Sequence, residues 1–238
     1  MPMKGSGDAE LAVVDRWDGG VGWLAYPDER MERASHALAI DGEVWVLDPV
    51  DADGVDDLLA EYGEVAGVVT CLDRHKRDGA AIANRHDVPV FLPEWMTGVE
   101  DALDAPVRRF GRSLADTGLR SVRIRDSAVP PWQEVGLYAP PADDADDSEP
   151  IAGTLYVPEA VGTCPYYRTA RERLGVHPML RLFPPRSALG DLRPDRILVG
   201  HGEGVMEDAR RELRRALETS RGETPSLYVK TLKDVVFG

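Results

Sequence analysis

The stretch Ile197-Leu-Val-Gly-His-Gly-Glu-Gly204 decides the fold that we predict. Its first three residues are apolar and β-branched or aliphatic, which is typical of a short buried strand. Glycines on both sides of His201 predict a tight turn at the end of that strand, because glycine adopts backbone angles that other residues avoid. Mixed α/β proteins often place reactive groups at the carboxyl ends of strands. His201 is therefore a candidate functional residue.

Two other stretches carry polar residues after a predicted strand. They are Gly67-Val-Val-Thr-Cys-Leu-Asp-Arg-His-Lys-Arg-Asp-Gly79 and Gly153-Thr-Leu-Tyr-Val-Pro-Glu-Ala-Val-Gly162. Carboxylate and imidazole groups in such positions can bind a metal or transfer a proton. The candidates are Asp73, His75, Asp78 and Glu159.

The rest of the chain alternates between strand and helix patterns. Segments rich in β-branched and aromatic residues predict strands at 11–14, 21–26, 36–40, 44–47, 65–70, 90–92, 107–110, 122–124, 135–138, 154–157 and 197–199. Apolar residues at helical spacing predict helices over 55–62, 77–85, 166–174 and 205–220. Together they predict a layered α+β protein. We expect residues 1–238 to form one domain, with the Pro- and Asp-rich residues 140–150 as an exposed acidic loop.

Charge and composition restrict the partners. The chain has 238 residues, with 42 Asp and Glu against 28 Lys and Arg, and its net charge is −14. Nucleic acids and anionic membranes need a basic surface, so we expect neither as a partner. No apolar run is long enough for a membrane span, and the first residues lack the apolar core of a signal peptide. These features predict a cytoplasmic protein with a small-molecule substrate or ligand; they do not predict its oligomeric state.

The acidic residues also suggest a habitat. Aspartates are abundant and clustered, whereas lysine occurs only at positions 4, 76, 230 and 233. An acidic, well-hydrated surface keeps a protein soluble when salt screens its charges. This composition resembles that of proteins from halophilic microbes, although an ordinary acidic protein is the simpler alternative.

In chain order, these stretches resemble the metallo-β-lactamase-fold hydrolases over most of the sequence. His36-Ala-Leu-Ala-Ile-Asp-Gly-Glu-Val-Trp-Val-Leu-Asp-Pro49 is similar to that family's opening hairpin. Val68-Val-Thr70, with its polar loop and Gly79, is similar to the strand, Thr-His-x-His-x-Asp-His motif and helix. The strand before Glu159 resembles the one that carries the metal-bridging aspartate, and Gly200-His-Gly202 matches a late Gly-His-Gly turn. The resemblance implies an αββα four-layer sandwich.

The motif differs from the family pattern. With Thr70 aligned to the family threonine, the metal positions become Cys71, Asp73, His75 and Lys76. An alternative register places Asp73 and His75 at the first two positions and Asp78 at the last, after a slip of two residues. Both registers stay open. The family's middle histidine has no counterpart in residues 129–134, so a dinuclear zinc site is not expected.

The resemblance therefore implies a hydrolase-like protein with a drifted metal site. One zinc or iron ion would be held by His75, Glu159 and His201, with Cys71, Asp73 and Asp78 as weaker ligand candidates. Asp73 is the candidate catalytic base or orienting residue, and the substrate would be an ester, thioester, lactone or phosphoester. The alternative is a catalytically silent binding or scaffold protein that keeps the fold without metal, so enzymatic activity stays open.

The other reactive side chains carry weaker signals. His36 is predicted to lie in a core or at a strand edge, His86 suits a helix carboxyl end, and no motif assigns a role to His177. The cationic residues 74–77 would lower the pKa of the Cys71 thiol, but a buried thiol is the plainer interpretation. The resemblance places Cys164, five residues after Glu159, near the rim of the pocket with Cys71, where the two thiols could form a redox pair.

Overall fold

The computed structural model describes residues 2–142 and 150–237. Most of the predicted acidic loop, residues 143–149, lies outside the described residues. The strands are β1 Ala12–Trp17, β2 Gly20–Leu24, β3 Ala34–Ile40, β4 Glu43–Leu47, β5 Glu64–Val69, β6 Val90–Pro93, β7 Val107–Phe110, β8 Arg120–Ala128, β9 Pro131–Tyr138, β10 Thr154–Val157, β11 Val161–Gly162, β12 Gly175–Val176 and β13 Arg196–Val199. The helices are α1 Val55–Ala60, α2 Gly79–Arg85, α3 Arg186–Leu189 and α4 Ala209–Phe237.

Two mixed sheets form the centre of the fold. The first has the order β1-β2-β3-β4-β5-β6-β7, antiparallel through β4 and parallel from β4 onward. The second has the order β13-β10-β9-β8, in which β10 and β13 are parallel and the other pairs antiparallel. Strands β11 and β12 form a separate short pair.

Three apolar cores separate the layers. Val46, Leu59 and Ile82 belong to a core between the first sheet and helices α1 and α2. Leu47, Leu137 and Leu198 belong to a second core between the two sheets. The third core includes Leu155, Val199 and Leu213 and lies between the second sheet and α4. Each sheet thus buries both faces, and the layers follow the order helices, sheet, sheet, helices.

The helix predicted over 166–174 is wrong. That segment forms turns around the fully buried guanidinium of Arg181, which pairs with Glu172 and donates to the carbonyl of Tyr167 at 2.9 Å. A buried guanidinium needs acceptors on several sides. A helix would use the Tyr167 carbonyl in its own hydrogen-bond ladder, so the tertiary demand overrides the helical spacing.

The last helix begins later and runs further than the predicted 205–220. Val205 pairs with Ile197 in an isolated antiparallel bridge, and Asp208 has a left-handed φ of 57°. Helix α4 therefore starts at Ala209, and it continues to Phe237. Among the described helices, none combines the length and apolar character that a bilayer crossing requires.

The strand order brings several chain segments to one edge. Asp48 follows β4, residues 70–75 follow β5, and Glu159 and His201 follow the paired strands β10 and β13. Carboxyl ends of neighbouring parallel strands meet at the same side of a sheet. The two sheets therefore present their polar loops together.

Candidate functional site

Three predicted residues come together at this edge. Ligand atoms of His75, Glu159 and His201 all lie within 4.8 Å of one another, and all three residues are buried. The Nε2 atoms of His75 and His201 lie 3.1 and 3.0 Å from the same oxygen, Oε2 of Glu159. Segments far apart in the sequence thus meet as the sequence predicts.

The other ring nitrogens of the two histidines have fixed partners. Nδ1 of His201 lies 2.8 Å from the carbonyl oxygen of Met31, and Nδ1 of His75 lies 3.2 Å from Oδ2 of Asp48. A carbonyl oxygen only accepts hydrogen bonds, and so does an ionised carboxylate. Each Nδ1 therefore carries the proton, and in a neutral ring the Nε2 lone pair faces Glu159.

When both rings are neutral, three electron pairs converge on one point. Burial lowers the pKa of His201, although Glu159 opposes this effect. The lowered pKa favours the neutral ring. Burial alone would raise the pKa of Glu159, but the neighbouring His201 and His75 lower it far below its usual range, so the carboxylate is ionised. A cation between these atoms would relieve the repulsion among them. Two imidazoles and a carboxylate suit zinc or iron, and metal-binding histidines usually donate their second nitrogen to a carboxylate or carbonyl.

A third histidine, His177, lies on the other side of the carboxylate. Its Nδ1 accepts from the backbone N–H of Met179 at 3.2 Å, so Nε2 carries the proton. That Nε2 lies 3.4 Å from Oε1 of Glu159. Burial lowers the pKa of His177 to about 4, which keeps the ring neutral. His177 therefore holds the carboxylate instead of adding another lone pair, and no motif in the sequence pointed to it.

Two arginines contribute positive charge. Arg77 donates to the carbonyls of Ala34 and Asp48, both at 2.7 Å, and of Gly200 at 3.1 Å, while its Nη2 lies 3.5 Å from Nε2 of His75. Arg74 places Nη2 3.7 Å from Oε1 of Glu159. Arg77 is thus a fixed cation beside the cluster, whereas the Arg74 side chain is 42% exposed and stands at its solvent side.

Glu134 holds the backbone at Glu159 in place. This fully buried carboxylate on β9 accepts the backbone N–H groups of Glu159 at 2.9 Å and Ala160 at 2.8 Å, and the indole N–H of Trp132 at 2.7 Å. Burial raises its pKa to about 7. Glu134 fixes the backbone from which Glu159 projects, and no sequence motif singles it out.

The weaker ligand candidates have other partners. Oδ2 of Asp73 accepts from the backbone N–H of Gln133 at 3.0 Å, and Oδ2 of Asp78 accepts from that of Asp51 at 2.9 Å. The carboxylate next to Nδ1 of His75 is that of Asp48 and not that of Asp73, so the orienting role expected of Asp73 falls to Asp48. Of the alternative register, only His75 joins the cluster among the residues described.

Cys71 is part of the core between the two sheets. Burial raises the pKa of its thiol well above the ordinary value, and the charge of Asp48 adds to this effect. The plainer interpretation, a buried thiol, is therefore confirmed, and the lowered pKa expected from residues 74–77 is wrong, because burial and Asp48 raise the pKa.

Comparison with known proteins identifies the fold. No protein-family model and no curated protein matches the chain. Solved structures do match: a metallo-beta-lactamase from Pontibacter korlensis has 12% identity and a TM-score of 0.55, covering 89% of this chain and 99% of that chain. One from Hirschia baltica has 10% identity and a TM-score of 0.52, covering 88% and 97%. A putative diflavin flavoprotein fragment from Nostoc sp. PCC 7120 has 12% identity and a TM-score of 0.60, covering 94% and 100%.

These likenesses establish the architecture. The chain has the metallo-β-lactamase fold, and the predicted αββα sandwich is confirmed. With identities of 10 to 12%, the likeness defines the fold alone.

Proposed function

We propose that this protein binds one zinc or iron ion at His75, Glu159 and His201 and hydrolyses a small ester, thioester, lactone or phosphoester. The observation that carries the proposal is the convergence of the two Nε2 atoms on Oε2 of Glu159, at 3.1 and 3.0 Å, with both Nδ1 atoms already committed as donors. A bound ion would supply a water activated for attack near neutral pH. The fold shared with metallo-beta-lactamases supports hydrolysis as the reaction class.

The surrounding residues would each have a separate task. Asp48 and the Met31 carbonyl orient the two imidazoles. His177 would hold Oε1 of Glu159, with Nη2 of Arg74 nearby at 3.7 Å, while Oε2 faces the two histidines. The guanidinium of Arg77 is held by three carbonyls next to His75. Its positive charge would repel a second metal ion there, so the site suits a single ion.

Metal content tests the proposal directly. The full chain is purified in high salt without chelator, and bound metal is measured by elemental analysis. We expect about one equivalent of zinc or iron, lost in His201→Ala and Glu159→Gln. His86→Ala is the matched control, because His86 pairs with Asp56 at 3.0 Å away from the cluster. Circular dichroism establishes that each variant is folded. Less than about a tenth of an equivalent, even after reconstitution with zinc or iron, refutes the proposal.

A metal-free binding or scaffold protein is the second candidate function. The position of Arg77 favours it, because Nη2 lies 3.5 Å from the Nε2 atom of His75 that would bind the ion. The burial of His75, Glu159 and His201 favours it too. In that case the wild type contains no metal and gains no thermal stability when zinc is added, whereas a genuine site stabilises the folded state on binding.

We also propose that the protein works as a single domain in the cytoplasm of a halophilic organism. The net charge of −14 and the scarcity of lysine support the habitat.

A further inference from the structure

Two arginines share one indole ring beside the cluster. The guanidinium carbons of Arg74 and Arg125 lie 4.3 and 5.5 Å from the centre of the Trp132 ring. The ring is buried, donates its N–H to Glu134 and contacts the ring of His177, with centroids 5.0 Å apart. Trp132 therefore positions two positive charges next to the residues that hold Glu159.

These guanidiniums keep unused donors. Arg74 lies 3.4 Å from Asp73 and 3.7 Å from Glu159, whereas the ion pairs of Arg16, Arg33 and Arg85 measure 2.6, 2.8 and 2.7 Å. Nε of Arg125 is buried and finds no acceptor within the described part of the chain. Carboxylates are plentiful in a chain with a net charge of −14, so unused arginine donors are unexpected here.

The Tyr167 hydroxyl is an independent observation that points to a ligand at this place. Its side chain is fully buried, and its hydroxyl has no partner among the residues that the structure describes. The ring stacks on His201 at 5.5 Å and lies 5.3 Å from the ring of His177. Burial raises the pKa of this hydroxyl well above its usual range, the charges of Glu159 and Glu134 add to the effect, and the charge of Arg74 opposes it. A buried hydroxyl without a partner is costly, so such groups usually have an acceptor in the functional state.

We propose that the ligand of this centre carries an anionic oxygen group, a phosphate or a carboxylate, bound by Arg74 and Arg125 on the Trp132 platform with the Tyr167 hydroxyl as a further donor. The planar guanidinium matches both anions through paired N–H groups. The exposed Arg74 would meet the anion first, 3.7 Å from Glu159. The inference rests on the proposed function, because it takes hydrolysis as the reaction and restricts the substrate to an anionic compound. Binding of the anion itself does not depend on a metal.

An anion titration tests this inference. The full chain is titrated at constant ionic strength with inorganic phosphate and, separately, with acetate, and the indole N–H resonance of Trp132 is followed by NMR, assigned through Trp132→Phe. We expect a saturable shift with at least one anion, and the anion that binds more tightly identifies the group. Arg74→Gln and Arg125→Gln should weaken the affinity about tenfold or more, since hydrogen bonds to charged groups are strong.

Arg123→Gln is the matched control, because Arg123 lies on the same strand and stacks on Trp95 at 4.4 Å. It should leave the affinity unchanged. Tyr167→Phe should weaken binding without lowering the melting temperature, since it removes a hydroxyl that lacks a partner among the described residues.

Absence of a saturable shift, or equal affinities in Arg74→Gln and Arg123→Gln, overturns the inference. The titration is run on metal-free protein and on protein with one equivalent of zinc. A protein that binds the anion but never zinc keeps this inference and loses the metal proposal. A protein that binds zinc but neither anion keeps the metal proposal and loses this inference.

Discussion

Asp48→Asn is the sharpest test of the proposed metal centre. Oδ1 of Asp48 accepts the backbone N–H of Cys71 at 2.8 Å, and Oδ2 accepts the Tyr156 hydroxyl at 2.7 Å and Nδ1 of His75 at 3.2 Å. Asparagine has almost the same shape but only one acceptor oxygen. If that oxygen keeps the Cys71 bond, the new NH₂ group faces Tyr156 and His75.

Tyr156 and His75 can both form a hydrogen bond with the new NH₂ group, but zinc binding is weakened as a result. The Tyr156 hydroxyl can rotate to accept, and His75 can accept at Nδ1 if its proton moves to Nε2. The folded protein should then lose only about 1–2 kcal/mol of unfolding free energy. The Nε2 lone pair of His75 is no longer available, so zinc affinity should fall about 10- to 100-fold, or roughly 1.4–2.8 kcal/mol.

The assay is competition for zinc against a chromophoric chelator, with denaturant unfolding measured in parallel. Asp56→Asn is the control, because it changes the Asp–His pair of Asp56 and His86, 3.0 Å apart and away from the cluster. It should leave zinc affinity unchanged. Equal zinc affinities of the wild type and Asp48→Asn would refute the reasoning. They would mean that Asp48 does not determine which ring nitrogen of His75 carries the proton.

Three other properties can be predicted. Burial raises the pKa of Asp15 from 3.8 to about 6, so the folded protein binds this proton more tightly than the unfolded chain, and the stability gained is complete below about pH 4 and lost as the pH rises through 6. In the wild type the free energy of unfolding should therefore decline by roughly 3 kcal/mol over this range, and Asp15→Asn should remove that decline. Parallel pH profiles of denaturant unfolding for the two proteins would contradict this. Burial raises the pKa of Cys71 well above its usual range and that of Cys164 to about 12; neither thiol should react with a thiol reagent until the protein is denatured, and rapid labelling of native protein would disprove it. With a net charge of −14, the protein should lose circular dichroism signal on dilution into millimolar salt; an unchanged spectrum would remove the halophile proposal.

The sequence is most informative where chemistry follows a strand. Glu159 and His201 each stand two residues after a predicted strand, and the resemblance to one fold is what predicts that they meet; the parallel pairing of β10 and β13 brings them together. His75 is found in the same way, through the polar loop after β5. These positions follow from local patterns and from the resemblance to one fold.

His177 and Glu134 could not be found from such patterns. His177 reaches Glu159 from the loop between β12 and α3, and its place is set by ring contacts with Trp132 and Tyr167. Glu134 lies within a strand whose other residues are typical of an ordinary sheet. Only the packing of the second sheet shows that its carboxylate caps the N–H groups of residues 159 and 160. Tertiary contacts decide the roles of His177 and Glu134, and no local pattern in the sequence predicts these contacts.

Charge balance joins the metal proposal to the anion inference. Of the buried groups that contact His75, Asp48 and Glu159 carry two negative charges and Arg77 carries one positive charge; Arg74, at the solvent side, is left out of this count. One divalent ion leaves this group with a single positive charge, which one anionic ligand cancels. Two divalent ions would leave three, and each unit charge about 4 Å from Arg77 would add roughly 4 kcal/mol of repulsion at an effective dielectric constant of 20. Buried charge has to be paired, so the residues present favour one metal ion and one anion together.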